Sequence, residues 1–376
     1  MRSNRLAPAG AVIAVGLALV AGCSSKKSSS TAATTSAGTA ASPSASTSTA
    51  ASSASTAPTS ASTGGGGGGL IGVDYPRADT DFWNSYISYV PKMASALGAT
   101  VKTTNSQNDV QKLIANVQAL LGEGAKAIVM APQDTAAIAP TLSDLAGKKI
   151  PVVTIDTRPD AGSVYMVVRA DNRAYGAKAC KFLGDAMQGK GAVVMLEGGL
   201  DSINGRDRTE AFNDCMKTTY PNIKVYGEPS NWDGAKAASQ LQTALTQDKS
   251  IRGVYMESSF GLAGTLQVLK QDNLTAKAGD PAHVFIVSND GIPEELKDIR
   301  AGLIDATVSQ PADLFAKYGL FYAQAALAGK TFQPGPTDHQ STIIQVRAGL
   351  LEDELSAPLV TKDNVDDKTL WGNNAG

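Results

Sequence analysis

Three polar residues in this chain stand in similar places, each just past a short apolar run. Asp156 follows Val152-Val153-Thr154-Ile155, Asp290 closes the run that begins Val284-Phe285-Ile286-Val287, and Gln310 comes soon after Ala306-Thr307-Val308. The glycine-rich loop 197–205 follows Ala192-Val193-Val194-Met195-Leu196 in the same way. A carboxylate accepts hydrogen bonds from hydroxyls, and an amide both gives and takes them. Phe82, Trp83 and Trp232 flank polar loops rather than apolar periods, so they can offer flat apolar faces. Arg208 adds a fixed fork of donors. Together these groups suit a small molecule with apolar faces and a polar edge. Taken singly, each has a plainer reading. The polar residues can cap helices or sit in turns, the rings can fill a core, and Arg208 can pair with Asp207 or Glu210 at the surface. Their recurrence beyond apolar runs in both halves favours a shared site, because open α/β sheets bind ligands outside the C-terminal ends of their strands.

The elements that would carry these residues repeat along the chain. In the stretch after Asn105, Val110, Leu113, Ile114, Val117, Leu120 and Leu121 recur at helical spacing. Ser106 or Asn108 can cap this helix, and Gly122 and Gly124 can end it. Ala127-Ile128-Val129-Met130 then forms an apolar run bounded by Pro132. A strand apolar on both sides is covered on both faces, as in a parallel sheet flanked by helices. The helix–turn–strand unit recurs up to Ala170 and restarts at Asp171-Asn172. Two such sets in series predict an α/β protein of two similar Rossmann-like lobes with parallel sheets.

At 376 residues the chain is too long for one ordinary domain. Residues 70–376 hold 29 bases against 35 acids, a charge of about −6. Nothing in that balance attracts a polyanion, and no basic helix or aromatic-basic patch suits nucleic acid. The two histidines, His283 and His339, are far apart, which argues against a histidine metal cage. No metal or cofactor is expected. Neither G-x-S-x-G nor H-E-x-x-H occurs. Gly184–Lys190 imitates the start of a P-loop, but Gly191 replaces the residue that would hold magnesium. The glycines at 67, 69 and 72 fit a dinucleotide fingerprint only formally, since they precede a strand. The chain is not expected to be an enzyme.

The N-terminus has the features of an export signal. Arg2 and Arg5 are followed by the apolar run Ala11–Val20, which is too short to span a bilayer comfortably. Leu19-Val20-Ala21-Gly22-Cys23 resembles the lipobox of bacterial lipoproteins, in which the cysteine becomes the first mature residue and is acylated. Residues 1–23 are therefore expected to be a lipoprotein signal and Cys23 the lipidation site. Residues 24–69 are Ser, Thr, Ala, Gly, a little Pro and a Lys pair, too poor in apolar side chains to fold. They are expected to tether an extracytoplasmic protein to the outer face of the cell membrane.

From about residue 70 to residue 350 the chain resembles the ribose-binding type of periplasmic sugar-binding protein, the solute receptors of bacterial ABC importers. The segments that carry the likeness are Thr80-Asp81-Phe82-Trp83, the stretch Asn105–Pro132, the strand Ile150–Thr157, Asp171-Asn172, Gly205-Arg206-Asp207-Arg208, Trp232, Asn289-Asp290-Gly291 and Gln310. The resemblance implies the type 1 periplasmic binding fold, with a hinge of three chain crossings near Ala170-Asp171, Gln310-Pro311 and Ser341-Thr342. It places residues 70–170 and 311–341 in an N-terminal lobe, and 171–310 and 342–376 in a C-terminal lobe. It implies ligand contacts from Thr80, Phe82, Trp83, Asp156, Thr157, Arg208, Trp232, Ser258, Asp290 and Gln310. The expected ligand is a small neutral sugar or polyol, and the expected partners are a permease and its ATPase, with the receptor itself a monomer. A sensory receptor that reports occupancy to a membrane chemoreceptor or kinase is the alternative. Ser258-Ser259 stands where the family's ribose binders have Asn-Asp, Thr157 where they have arginine, and Thr80 where they have asparagine. These departures leave the site less charged, which suits another pentose, a hexose or a polyol. Cys180 and Cys215 lie in two predicted helices of the second lobe. Outside the cytoplasm they can bridge or remain buried thiols.

Overall fold

A computed structural model describes residues 68–375. The predicted signal with Cys23, and all but the last two residues of the predicted tether, lie outside the described residues. The first set of elements is β1 (Ile71–Tyr75), α1 (Asp81–Leu97), β2 (Val101–Asn105), α2 (Val110–Gly122), β3 (Ala127–Met130), α3 (Ala139–Gly147), β4 (Val152–Ile155) and β5 (Met166–Ala170). The second is α4 (Asn172–Ala186), β6 (Gly191–Glu197), α5 (Ile203–Thr219), β7 (Ile223–Pro229), α6 (Gly234–Gln247), β8 (Ile251–Met256), α7 (Leu262–Gln271), β9 (Phe285–Asp290), α8 (Pro293–Ala301) and β10 (Ala306–Ser309). The chain then returns as α9 (Ala312–Leu327), β11 (Gly335–Pro336), β12 (Thr342–Arg347), β13 (Leu350–Leu355) and β14 (Leu359–Thr361).

Two sheets result, ordered β11-β12-β13-β5-β4-β3-β1-β2 and β14-β10-β9-β8-β6-β7. Strands β1 to β5 pair in parallel, as do β6 to β10. Every residue of β3 and β4 is buried, as the apolar run of β3 and the largely apolar run of β4 require. Helix α2 starts at Val110, and its cap is Asp109 rather than Ser106 or Asn108. Asp109 accepts from Lys112 N at 2.9 Å, and Gly124 takes the left-handed turn at φ 97°. Helix α9 packs on the first sheet, its Gly319 facing Val129 and Ile155.

The return segment departs from expectation. Residues 342–355 do not join the second lobe: β12 pairs antiparallel with β13, and β13 runs parallel beside β5. The third crossing therefore lies between Leu355 and Leu359, not at Ser341-Thr342. The segment is acidic and does not look like a buried strand, but its buried acids have partners in place. Buried Glu352 accepts from Arg158 at 2.9 Å and lies 3.9 Å from Arg169. Buried Asp353 is met by His339 at 2.9 Å, Tyr322 at 3.1 Å and Ser341. From Leu359 the chain does belong to the second sheet, through β14 on β10.

Candidate functional site

The C-terminal ends of both sets of parallel strands converge on one cleft. It is lined by Arg77, Thr80, Phe82, Trp83, Gln133 and Asp156 from the first lobe, and by Asn204, Arg208, Trp232, Ser258, Phe260 and Gln310. Eight of the ten residues expected from the sequence are brought together here. The cleft is narrow between these side chains, about 40 Å³.

The aromatic walls serve two purposes at once. Phe82 and Trp83 open α1 and line the cleft, yet both belong to the core. Phe82 meets Trp371 edge-on at 6.0 Å, so a residue from the C-terminal segment props it from behind. Trp232 sits in the left-handed region at φ 61°, uncommon and costly for a bulky side chain. Its ring lies on Gly198 and Gly199, where any Cβ would fall against the indole. Its Nε1 is buried without a partner.

Arg208 is the charged centre of the second lobe and is nearly inaccessible to water. Its Nε donates to Asn172 Oδ1 at 2.7 Å, its Nη1 to the Glu257 carbonyl, and its Nη2 to Gln310 Oε1 at 3.4 Å. The guanidinium lies 4.8 Å from the Tyr175 ring centroid and 5.7 Å from that of Trp232. It is therefore not the surface partner of Asp207 or Glu210. Asp207 instead takes Arg169 Nη2 at 2.7 Å.

The two aspartates differ. Asp156, at φ 61° on the end of β4, accepts Asn204 Nδ2 on one oxygen at 3.0 Å and has no partner for the other. Burial pushes its carboxyl up to about 6, against the pull of Arg208 and Arg169. Asp290 does not line the cleft. One of its oxygens accepts from Ser258 Oγ at 2.6 Å, Ser259 N at 2.8 Å and Ser259 Oγ at 2.6 Å, and the other from Gln310 Nε2 at 2.6 Å. Its bonding capacity is spent on holding Ser258 and Gln310, both of which do face the cleft. Burial raises its pKa too, with Arg208 opposing. Thr157 also departs from expectation: it is fully buried and does not line the cleft.

Sequence reasoning passed over Asn204, Arg169, Arg77 and Tyr175. The signal for Arg169 was available, since it is the one charge in the buried strand Met166–Ala170. Arg169 donates from Nε and Nη2 to Asn204 Oδ1, at 3.2 and 2.9 Å, across from the first sheet to α5. Arg77 grips Asp79 and reaches the Trp232 carbonyl at 3.3 Å. Arg206 meets Asp160 at 2.5 Å. Polar bonds thus join the two lobes on both flanks of the cleft. Among the described residues, no group of three His, Cys, Asp or Glu could hold a metal ion. Cys180 of α4 and Cys215 of α5 are joined, with Cα atoms 6.2 Å apart.

Comparison with known proteins matches the periplasmic binding protein domain to residues 71–331. A ribose import binding protein of Haemophilus influenzae is 26% identical over 252 residues, 67% of this chain and 83% of that protein. A xylitol-binding protein of Mycolicibacterium smegmatis is 25% identical over 264 residues, 70% of this chain and 68% of that protein. Among solved structures, an ABC transporter solute-binding protein from Mycobacterium smegmatis with bound glycerol superposes with a TM-score of 0.69 at 23% identity, covering 80% of this chain and 96% of the other.

Proposed function

Because the chain belongs to the periplasmic binding protein domain family, a family of solute receptors rather than enzymes, we propose that it captures a small neutral sugar or polyol outside the cytoplasm and delivers it to an ABC transporter permease. The observation that carries this reading is the cleft itself. Asp156 from the first lobe and Trp232 from the second both line it, and each holds a buried polar atom without a partner. Ribose, xylitol and glycerol, the ligands named for the similar proteins, are all uncharged and rich in hydroxyls. Asp290 is spent within the protein and so is not free to work with Asp156 as an acid–base pair.

Capture works by hinge closure. A ligand enters while the lobes are parted, and it touches both lobes only when they close. That difference in contact drives the shift. A micromolar ligand has about −8 kcal/mol to divide between closure and net affinity. Titration calorimetry with ribose, xylitol, glycerol and a hexose set tests the reading, with micromolar or tighter binding of one compound expected. Failure of all of them to bind, or turnover of any, overturns it.

The same reading makes Cys23 a lipid anchor and the monomer the working form. Cys23→Ala should release the protein from the membrane fraction into the soluble extracytoplasmic fraction, read by fractionation and by loss of fatty-acid label. Persistence of both label and membrane retention in the variant overturns the anchor.

A further inference from the structure

One amide in the cleft has a fixed orientation. Asn204 lines the cleft and is itself buried. Its Oδ1 receives two donors from Arg169, at 3.2 and 2.9 Å. A guanidinium offers only donors, so the amide cannot turn over. Its NH2 group must point the other way, and there it donates one hydrogen to Asp156 Oδ2 at 3.0 Å. The NH2 group has a second hydrogen. Beside it, Asp156 Oδ1 is buried and without a partner. The pair therefore presents one spare donor and one spare acceptor next to each other, the donor from α5 of the second lobe and the acceptor from the end of β4 in the first.

We propose that Asn204 and Asp156 together read a single ligand hydroxyl, which donates to Asp156 Oδ1 and accepts from Asn204 Nδ2, and that this hydroxyl bridges the lobes. An ether oxygen accepts only and an ammonium donates only, so each would leave one of the two groups unpaired in a buried place. A hydroxyl satisfies both. Asn204 is thus a specificity-setting residue. Arg169, anchored by Asp207 at 2.7 Å and near Glu352 at 3.9 Å, is the positioning residue that keeps the amide from flipping.

This inference rests on the sugar or polyol reading, and its test separates the two. The intact chain is titrated with ribose and xylitol, and then with mono-deoxy and mono-O-methyl derivatives of the tighter binder. In the wild type, alteration of one particular hydroxyl should weaken binding about 10- to 100-fold, as expected for hydrogen bonds to a charged group. In Asn204→Ala and Asn204→Ser the parent compound should bind more weakly. The penalty at that one hydroxyl should shrink to within about threefold, while penalties at other hydroxyls persist. A merely structural role for Asn204 would weaken every compound alike and leave the pattern of penalties unchanged. That result, or unaltered binding in variants that melt near the wild-type temperature, overturns the inference while leaving the function intact. If neither parent binds the wild type, the sugar reading falls, and the inference falls with it.

Discussion

A carboxylate sealed from water must either keep its proton or find donors, and the two aspartates of this cleft take different courses. Asp156 keeps a free oxygen, and burial holds its pKa up to about 6. The groups acting on it are Arg208 and Arg169, which favour ionisation, Asp290, which opposes it, and the Asn204 amide. A ligand hydroxyl that donates to the ionised carboxylate favours the charged form. Affinity should therefore fall as the pH drops through about 6, by about tenfold between pH 7 and pH 5. Calorimetry at several pH values checks this, and Asp156→Asn should flatten the profile. Asp290 has four donors and faces none of the cleft, so its loss acts through others. Asp290→Ala should lower the melting temperature and the affinity together, by about 1–3 kcal/mol in stability, because it leaves Gln310, Ser258 and Ser259 unpaired in a buried place. Asp156→Ala should lower affinity with little change in melting. In the sequence these two residues look alike, since both end apolar runs. What distinguishes them is how many donors surround each, and those donors come from residues 20 to 48 positions away. The same distance hid Asn204, whose partners Arg169 and Asp156 lie 35 and 48 positions away.

At the scale of elements, most of the fold was legible because helices and buried strands are local patterns. Helix α2 and strand β3 followed from spacing and from an unbroken apolar run. Strands β12 and β13 were misassigned to the wrong lobe for a physical reason. Their buried acids are compensated by Arg158, Arg169 and His339, and compensation by distant partners leaves no trace in local hydropathy. Helices α4 and α5 are a tight pair. A Cβ at Gly176 would strike the backbone of α5 at Arg208 and Phe212. The Cys180–Cys215 bridge spans 35 residues across this pair. Replacing both cysteines with serine should cost about 3–4 kcal/mol in the chain-entropy model, read by denaturant unfolding. Thiol titration of the unreduced protein should find neither cysteine free. Because α5 also carries Arg208 and Asn204, reduction should loosen ligand binding as well as the fold.

At the scale of the molecule, several buried acids set how stability responds to pH. Burial raises Glu257 to about 8 against the pull of Thr209, Gly198 and Arg208, and Glu295 is raised to about 8 by burial and by Asp290. Their ordinary value is 4.5, so the folded chain holds protons that the unfolded chain would release. Their contribution to stability is complete below about 4.5 and is lost as the pH rises through about 8. The melting temperature should therefore decline between pH 5 and pH 8. Glu257→Gln should make that decline shallower, because an amide keeps a donor and an acceptor for Thr209 and Gly198 without a proton to lose.

The three crossings between the lobes have a mechanical consequence. Ala170 stands opposite Leu355 on neighbouring strands, and Leu359 stands near Val308 on the next pair. The threads at Ala170-Asp171, Leu355–Leu359 and Gln310-Pro311 thus run side by side, like knuckles along one pin. A row of knuckles yields to swinging about its pin and resists torsion across it. If capture is by hinge closure, the jaws should follow a single path between ajar and shut, which one pair of spin labels across the mouth would track.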